Sequence, residues 1–140
     1  MKQLLITLLL LGLGVAGVNA QGNKNAPVFK FDKGTVHDFG TLDEGPQATH
    51  FFEFTNAGKE PLIIQSVTAS CGCTTPDWPK QPILPGKKGK IKVMYNTQGR
   101  VGPFNKEIYI LSNAQNPDGK ERYELFIKGT VKGEDGTKKS

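Results

Sequence analysis

The feature that most constrains the fold of this chain is a two-residue alternation of apolar and polar side chains beyond residue 28. In the segment 90–96, for example, Ile91, Val93 and Tyr95 fall on one side and Lys90, Lys92 and Met94 on the other. This alternation is typical of β-strands that bury one face, and no window of about eleven residues carries a helical stripe. The chain is therefore predicted to be all-β.

Strand signals recur along the chain with turn residues between them. The segments are 28–32, 35–40, 48–56, 62–70, 90–96, 104–112 and 122–131. Between the fourth and fifth lies the stretch 74–85, whose four prolines cannot donate to a sheet ladder, so a loop or an irregular edge is expected there. About seven short strands in about 105 residues predict two antiparallel sheets packed face to face, with a partly open barrel as the alternative.

The first twenty residues have the pattern of a signal peptide. Lys2 supplies the positive start, residues 4–18 the apolar stretch, and Val18-Asn19-Ala20 the small residues before a cleavage site. The apolar stretch is short for a spanning helix, which makes a retained anchor the less favoured alternative. The protein is therefore expected to be extracytoplasmic, periplasmic or secreted, without membrane insertion after cleavage.

The remaining chain divides into three parts. Residues 21–27 are expected to be a linker, residues 28–132 a single folded domain, and residues 133–140 a charged, disordered tail. With 18 basic and 13 acidic residues the net charge is +5, and loss of Lys2 with the signal peptide lowers it to +4. Nucleic-acid binding would need a basic face combined with stacking aromatics or a known motif, and since neither is visible, no such partner is expected.

The only two cysteines, Cys71 and Cys73, flank Gly72. On an extended strand the α-carbons of such residues lie about 6.6 to 6.8 Å apart. A disulfide usually has its α-carbons about 5.5 to 6 Å apart, so a bridge requires a bend, which Gly72 is suited to provide. The alternatives are free or inertly bridged thiols at the end of a strand, a soft-metal site, and thiol–disulfide exchange.

A soft-metal site would bind copper or zinc through the thiolates of Cys71 and Cys73. It would need further ligands, because structural zinc normally takes four. His37, His50, Met94 or a second molecule would have to supply them. Each histidine sits among polar residues in a strand-like stretch, which is more typical of an exposed or hydrogen-bonded surface histidine than of a ligand. Apart from copper or zinc, no cofactor is expected.

Catalytic patterns are absent from the sequence. There is no glycine-flanked serine nucleophile and no phosphate-binding glycine loop, and Asp38, Asp43 and Glu44 lie too close together in a turn to act as a separated acid and base, so the chain is predicted not to be an enzyme. Trp78, the only tryptophan, lies in the proline-rich stretch. It is interpreted either as a cover for one end of the core or as an anchor for a partner, because aromatic side chains supply much of the energy at interfaces.

Short motifs spread over about residues 28–132 carry a family resemblance. They are His37-Asp38-Phe39-Gly40, Glu44-Gly45, Phe54-Thr55-Asn56-x-Gly58, Pro61-Leu62-x-Ile64, Ser70-Cys71-Gly72-Cys73-Thr74, Pro85-Gly86 and Gly129-Thr130-Val131. Together they resemble a family of bacterial exported proteins described only as a domain of unknown function, with the Cys-Gly-Cys-Thr element as its most recognisable stretch. The family is similar in turn to immunoglobulin-like domains of the major sperm protein and Hydin type.

The resemblance implies an immunoglobulin-like antiparallel β-sandwich of about seven strands. It carries over no catalytic residue, and the related eukaryotic domains are similar to scaffolding or assembly modules. The expected function is therefore an exported, non-catalytic module for protein interaction or structural assembly. An unidentified protein partner is expected to contact the surface from Cys71 to Trp78. The alternative is a protein that uses Cys71 and Cys73 for soft-metal binding or thiol redox chemistry.

Overall fold

The computed structural model describes residues 22–133. The predicted signal peptide and all but the first residue of the predicted tail lie outside this range. Within it, no helix has the length and apolar character required to cross a membrane.

Eight strands build two four-stranded sheets that pack face to face. They are β1 (Phe29–Phe31), β2 (Val36–Asp43), β3 (Ala48–Asn56), β4 (Ile64–Ala69), β5 (Thr74–Asp77), β6 (Lys88–Tyr95), β7 (Gly102–Ser112) and β8 (Tyr123–Lys132), with a short 3-10 turn at Pro117–Gly119. Sheet A has the order β1-β3-β6-β5, and sheet B has the order β2-β8-β7-β4. The predicted all-β sandwich is confirmed.

The inward faces of the strands are the apolar rows that the alternation predicts. Phe52 and Phe54 of β3 are buried against the row that β6 contributes. The other buried hydrophobic residues are Phe29, Ala48, Leu62, Ile64, Val67, Cys73, Ile91, Val93, Tyr95, Phe104, Ile108, Ile110, Leu125, Ile127 and Val131. Burial of about 1.5 to 3 kcal/mol per large side chain makes this layer the main source of stability.

One strand was not predicted as such. β5 lies in the proline-rich stretch and forms the edge of sheet A, paired with the second half of β6. Pro76 is tolerated because of its register. Pro76 stands opposite Val93, whose N–H and C=O groups point towards β3 and not towards β5. The N–H that proline lacks would therefore not have bonded to β6.

One strand pair departs from the antiparallel pattern, because β2 runs parallel to β8. The turn after β1 carries the chain from sheet A to sheet B, so β2 arrives beside the last strand in the same direction. The pairing shifts register between Asp38 and Thr41, where Gly40 has a φ of 68°. Gly129 allows this close approach, since a β-carbon there would lie 2.9 Å from the Gly40 carbonyl oxygen.

Asn56 is the fully buried polar residue at the end of β3. Its side-chain oxygen accepts hydrogen bonds from the N–H groups of Val28 and Gly58, at 3.3 and 3.0 Å. Its side-chain nitrogen donates to the carbonyl oxygens of Glu60 and Ile83, at 2.8 and 2.9 Å. Asn56 therefore joins the N-terminal segment, the β3–β4 loop and the β5–β6 loop at one end of the sandwich.

Candidate functional site

The Cys71-Gly72-Cys73 element is the crossover between the two sheets, because β4 belongs to sheet B and β5 to sheet A. Before the crossover, the Ser70 N–H donates to the Glu107 carbonyl oxygen at 2.9 Å. After it, the Cys73 carbonyl oxygen accepts from the Asn96 N–H at 2.9 Å. Backbone bonds to both sheets therefore fix the position of the cysteines.

The two sulfur atoms are in contact, and the α-carbons lie 5.3 Å apart. This separation is shorter than that of an extended strand and fits the range found in disulfides. Gly72 lies in the turn that brings the cysteines together, and it is the residue suited to such a bend. Thr74 completes the cluster, with its hydroxyl oxygen 3.9 Å from the Cys71 sulfur and 3.7 Å from the Cys73 sulfur.

The two cysteines differ in accessibility. Cys73 is only 3% exposed and belongs to the core, whereas Cys71 is half-buried next to the exposed Gly72. The Cys73 N–H also points to the Cys71 sulfur, at 3.3 Å. Cys71 is therefore the more accessible of the two sulfurs to an external group.

The histidines lie on the other side of the sandwich from the sulfurs. His37 is on β2 and His50 on β3, which meet at one lateral side, while β4 and β5 meet at the opposite one. The histidines therefore do not complete a metal site with the cysteines. Among residues 22–133, no three or more histidine, cysteine, aspartate or glutamate side chains come together in an arrangement that suits a metal ion.

His37 and His50 instead stack on each other between the sheets, with ring centroids 3.5 Å apart and an interplanar angle of 8°. Phe39 contacts the His37 ring edge-on, and Phe52 contacts the His50 ring in the same way. The expectation of exposed or hydrogen-bonded surface histidines is wrong for this pair. The signal was present in the sequence, because each histidine precedes a phenylalanine by two residues and so shares its face.

Burial lowers the pKa of both rings. The pKa of His50 falls from 6.5 to about 4 through desolvation, followed by the charges of His37 and Lys33. Desolvation also lowers the pKa of His37, although Asp38 opposes the shift. Both rings are therefore neutral near pH 7, which permits their stacking.

Trp78 lies directly after β5 and packs partly against the core. The Lys80 ammonium sits 3.1 Å from the centroid of its ring, a cation–π arrangement, and also 3.8 Å from Asp77. Since β5 separates Trp78 from the cysteines, these residues lie at the two ends of one sheet edge. The surface predicted to contact a partner is thus the edge strand β5, with the two cysteines at one end and Trp78 at the other.

Solved structures similar to this chain share its fold at low sequence identity. A protein of unknown function from Porphyromonas gingivalis W83 is 20% identical with a TM-score of 0.65, covering 81% of this chain and 51% of that one. The chain thus spans about half the length of that protein. The ASH/PapD-like domain 7 of human CEP192 is 10% identical with a TM-score of 0.65, covering 96% of this chain and all of the domain.

A third similar structure is the VesB protease of Vibrio cholerae, 15% identical with a TM-score of 0.58, of which the match covers 31%. Identities this low establish the sandwich fold alone. No curated protein matches the chain. The sequence model of one family, described as protein of unknown function (DUF1573), matches residues 29–131.

Proposed function

The chain belongs to this DUF1573 family, and we propose that it acts outside the cytoplasm as a non-catalytic immunoglobulin-like module for protein interaction or assembly. Its contact region is the edge of sheet A from Cys71 to Trp78. The family description assigns no activity, so the proposal is built from the residues at this edge.

The observation that carries the proposal is the partly exposed Trp78 ring with the Lys80 ammonium 3.1 Å above its centroid. Tryptophan is among the residue types that contribute most binding energy at protein interfaces. The ring is held on a scaffold by its partial packing against the core, so little side-chain entropy is lost on binding. The PapD-like fold similarity agrees with such a role.

Site-specific photo-cross-linking in the exporting cell tests the contact region. A photoreactive residue at exposed Lys80 should give an adduct with a partner protein, whereas the same residue at exposed Lys128, on the outer face of sheet B, should not. Trp78→Ala should abolish the adduct. Trp78→Phe keeps an aromatic cover on the core and should retain part of it, which separates loss of contact from loss of folding.

An adduct that survives Trp78→Ala and the paired changes Cys71→Ser and Cys73→Ser would refute this contact region. Fractionation of the cells in the same experiment tests export: the protein should be recovered from the periplasm or the medium without residues 1–20.

The contact between the sulfurs of Cys71 and Cys73 favours a second candidate function, thiol redox chemistry or soft-metal binding. Thiol counting by mass spectrometry, on protein taken from its native compartment, should then find the pair as a disulfide that exchanges with glutathione. In the metal case, the reduced protein should bind about one equivalent of copper(I) and lose it when either cysteine is replaced. Absence of both reactions removes this candidate.

A further inference from the structure

Sheet A is incomplete beside β6. β5 pairs only with Lys92–Tyr95, although β6 begins at Lys88. Beyond Asp77 the chain leaves the sheet, and Ile83 pairs instead with Leu62 at the approach to β4. In the described part of the chain, the first half of β6 therefore has β3 on one side and no strand on the other. We call this open edge, at Lys88–Lys90, the β6 gap.

The register explains why β5 stops. Asp77 pairs with Lys92, so the next bonded position would place residue 79 opposite Lys90. Residue 79 is a proline, which has no N–H to donate to the Lys90 carbonyl oxygen. The Trp78 N–H, which this register directs away from β6, donates to the Asp77 carboxylate at 2.9 Å.

The backbone groups of Lys88 and Lys90 point into the β6 gap. In an antiparallel pair, bonded and non-bonded positions alternate. The Asn56 N–H donates to the Lys87 carbonyl oxygen, so Lys87 is in a bonded pair with β3. Gly89, two residues further on, is therefore also in a bonded pair, whereas Lys88 and Lys90 are in non-bonded pairs with β3. Their N–H and C=O groups are therefore available to an added strand.

The outer edge of β5 offers no such site. At this outer edge, the backbone N–H and C=O positions of Thr74 and Pro76 point away from β6, because bonded and non-bonded residues alternate along β5. Pro76 has no N–H, and the Thr74 N–H is used by the Cys71 carbonyl oxygen at 3.4 Å. Proline on an edge strand protects it from pairing, so an added strand is directed to the β6 gap.

A cavity of about 370 Å³ occupies the β6 gap, lined by Glu53, Pro79, Ile83, Lys88, Gly89 and Lys90. This volume lies within the range of ligand sites, about 300 to 1,000 Å³. Its Ile83 wall is fixed in advance, because Ile83 and Leu62 exchange two backbone hydrogen bonds of 2.8 Å. A pre-formed wall reduces the entropy lost on binding.

The charges at the rim select an acidic occupant. Lys90 has no carboxylate within salt-bridge distance in the described residues, and its ammonium lies 4.9 Å from the Phe51 ring centroid. The exposed Lys88 side chain contacts the partly exposed carboxylate of Asp32 at 3.2 Å, a weak surface pair that a ligand carboxylate can replace. Glu53 is the opposing charge, and it stands across from Lys90 in the register.

We propose that the β6 gap binds an extended acidic segment of a partner protein, which adds to sheet A as a short strand beside Lys88–Lys90. Backbone hydrogen bonds to these two residues hold the segment, apolar side chains contact Pro79 and Ile83, and carboxylates pair with the lysine ammonium groups. The inference rests on the proposed interaction function and names the chemistry of the partner.

Hydrogen exchange of the free, isotope-labelled protein tests the open edge without a ligand. The amides of Lys88 and Lys90 should exchange fast, while those of Gly89 and Ile91 should be protected by β3. Equal protection of all four amides would show that the edge is closed and would overturn the proposal.

Peptide titration then tests the occupant. The probe is a set of short capped peptides that alternate aspartate with varied apolar residues, and the control set replaces aspartate with serine. The acidic set should shift the Lys88 and Lys90 amides and slow their exchange, and the serine set should bind at least about fivefold more weakly. No binding by any acidic peptide, or shifts that map elsewhere, would overturn the proposal.

Matched charge variants complete the experiment. Lys90→Glu should weaken acidic-peptide binding by more than about fivefold, whereas Lys128→Glu, an equal charge change on the exposed outer face of sheet B, should not. Equal weakening by both variants would indicate general electrostatic attraction and overturn the site. If peptides fail while the Trp78-dependent cross-link persists, only the β6 gap is refuted. Loss of the cross-link dependence with peptide binding intact refutes the Trp78 contact region instead.

Discussion

Replacement of Asn56 by alanine should destabilise the fold more than any other single amide deletion in the described part of the chain. The change removes four hydrogen bonds, of 2.8 to 3.3 Å, that link the end of β3 to three other segments. Because Asn56 is fully buried, water cannot readily replace its side chain as a partner for the backbone groups left behind.

The magnitude follows from the number of bonds. A typical internal hydrogen bond contributes about 0.5 to 1.5 kcal/mol net, so four bonds give a range of about 2 to 6 kcal/mol. The four act on one network and are not additive, which places the expected loss near 3 kcal/mol for Asn56→Ala. Asn56→Asp should be at least as costly near neutral pH, since it sets a carboxylate oxygen against the carbonyl oxygens of Glu60 and Ile83.

Urea unfolding followed by the fluorescence of Trp78 measures this loss, because it is the only tryptophan. The matched control is Asn113→Ala: Asn113 also bonds two backbone groups through its side chain, those of Ile63 and Pro61, but it is exposed. The control should lose at most about 1 kcal/mol. If Asn56→Ala costs no more than Asn113→Ala at an unchanged m-value, the argument from burial fails.

Three further measurements test other parts of the fold. The folded state lowers the pKa of His50 to about 4, against 6.5 in the unfolded chain, so the free energy of unfolding should fall by about 1 to 2 kcal/mol as the pH drops from 6.5 to about 4, after allowance for solvent screening. Urea unfolding at several pH values measures this loss, and His50→Phe should remove most of the pH dependence. Gly129→Ala should cost about 1 to 3 kcal/mol in thermal unfolding, because the new β-carbon would lie 2.9 Å from the Gly40 carbonyl oxygen. Reduction of a Cys71–Cys73 disulfide should leave the circular dichroism spectrum unchanged and lower stability by only about 1.6 kcal/mol, the chain-entropy value for so small a loop; global unfolding on reduction would contradict this.

The sequence supported prediction of those features that depend on neighbouring residues. The alternation in segments such as 90–96 predicted the inward rows, and Gly72 indicated where the chain could bend if Cys71 and Cys73 approached each other, because both features depend on the chain within two residues. The parallel β2–β8 pair and the stack of His37 on His50 join distant segments. No local pattern encodes which strands become neighbours, so these features required the topology.

Pro76 and Pro79, within and just after β5, show why the sequence alone did not predict the β6 gap. In the sequence alone, Pro76 and Pro79 indicate the same thing, because each proline disfavours a β-strand. In the strand register their effects differ, because residues three apart direct their backbone groups to opposite sides of the strand. Pro76 turns its missing N–H outward and blocks the outer edge of β5, whereas Pro79 would have had to donate to Lys90 and so ends the ladder. It is therefore the spacing of the prolines relative to β6 that protects one edge and leaves the other open.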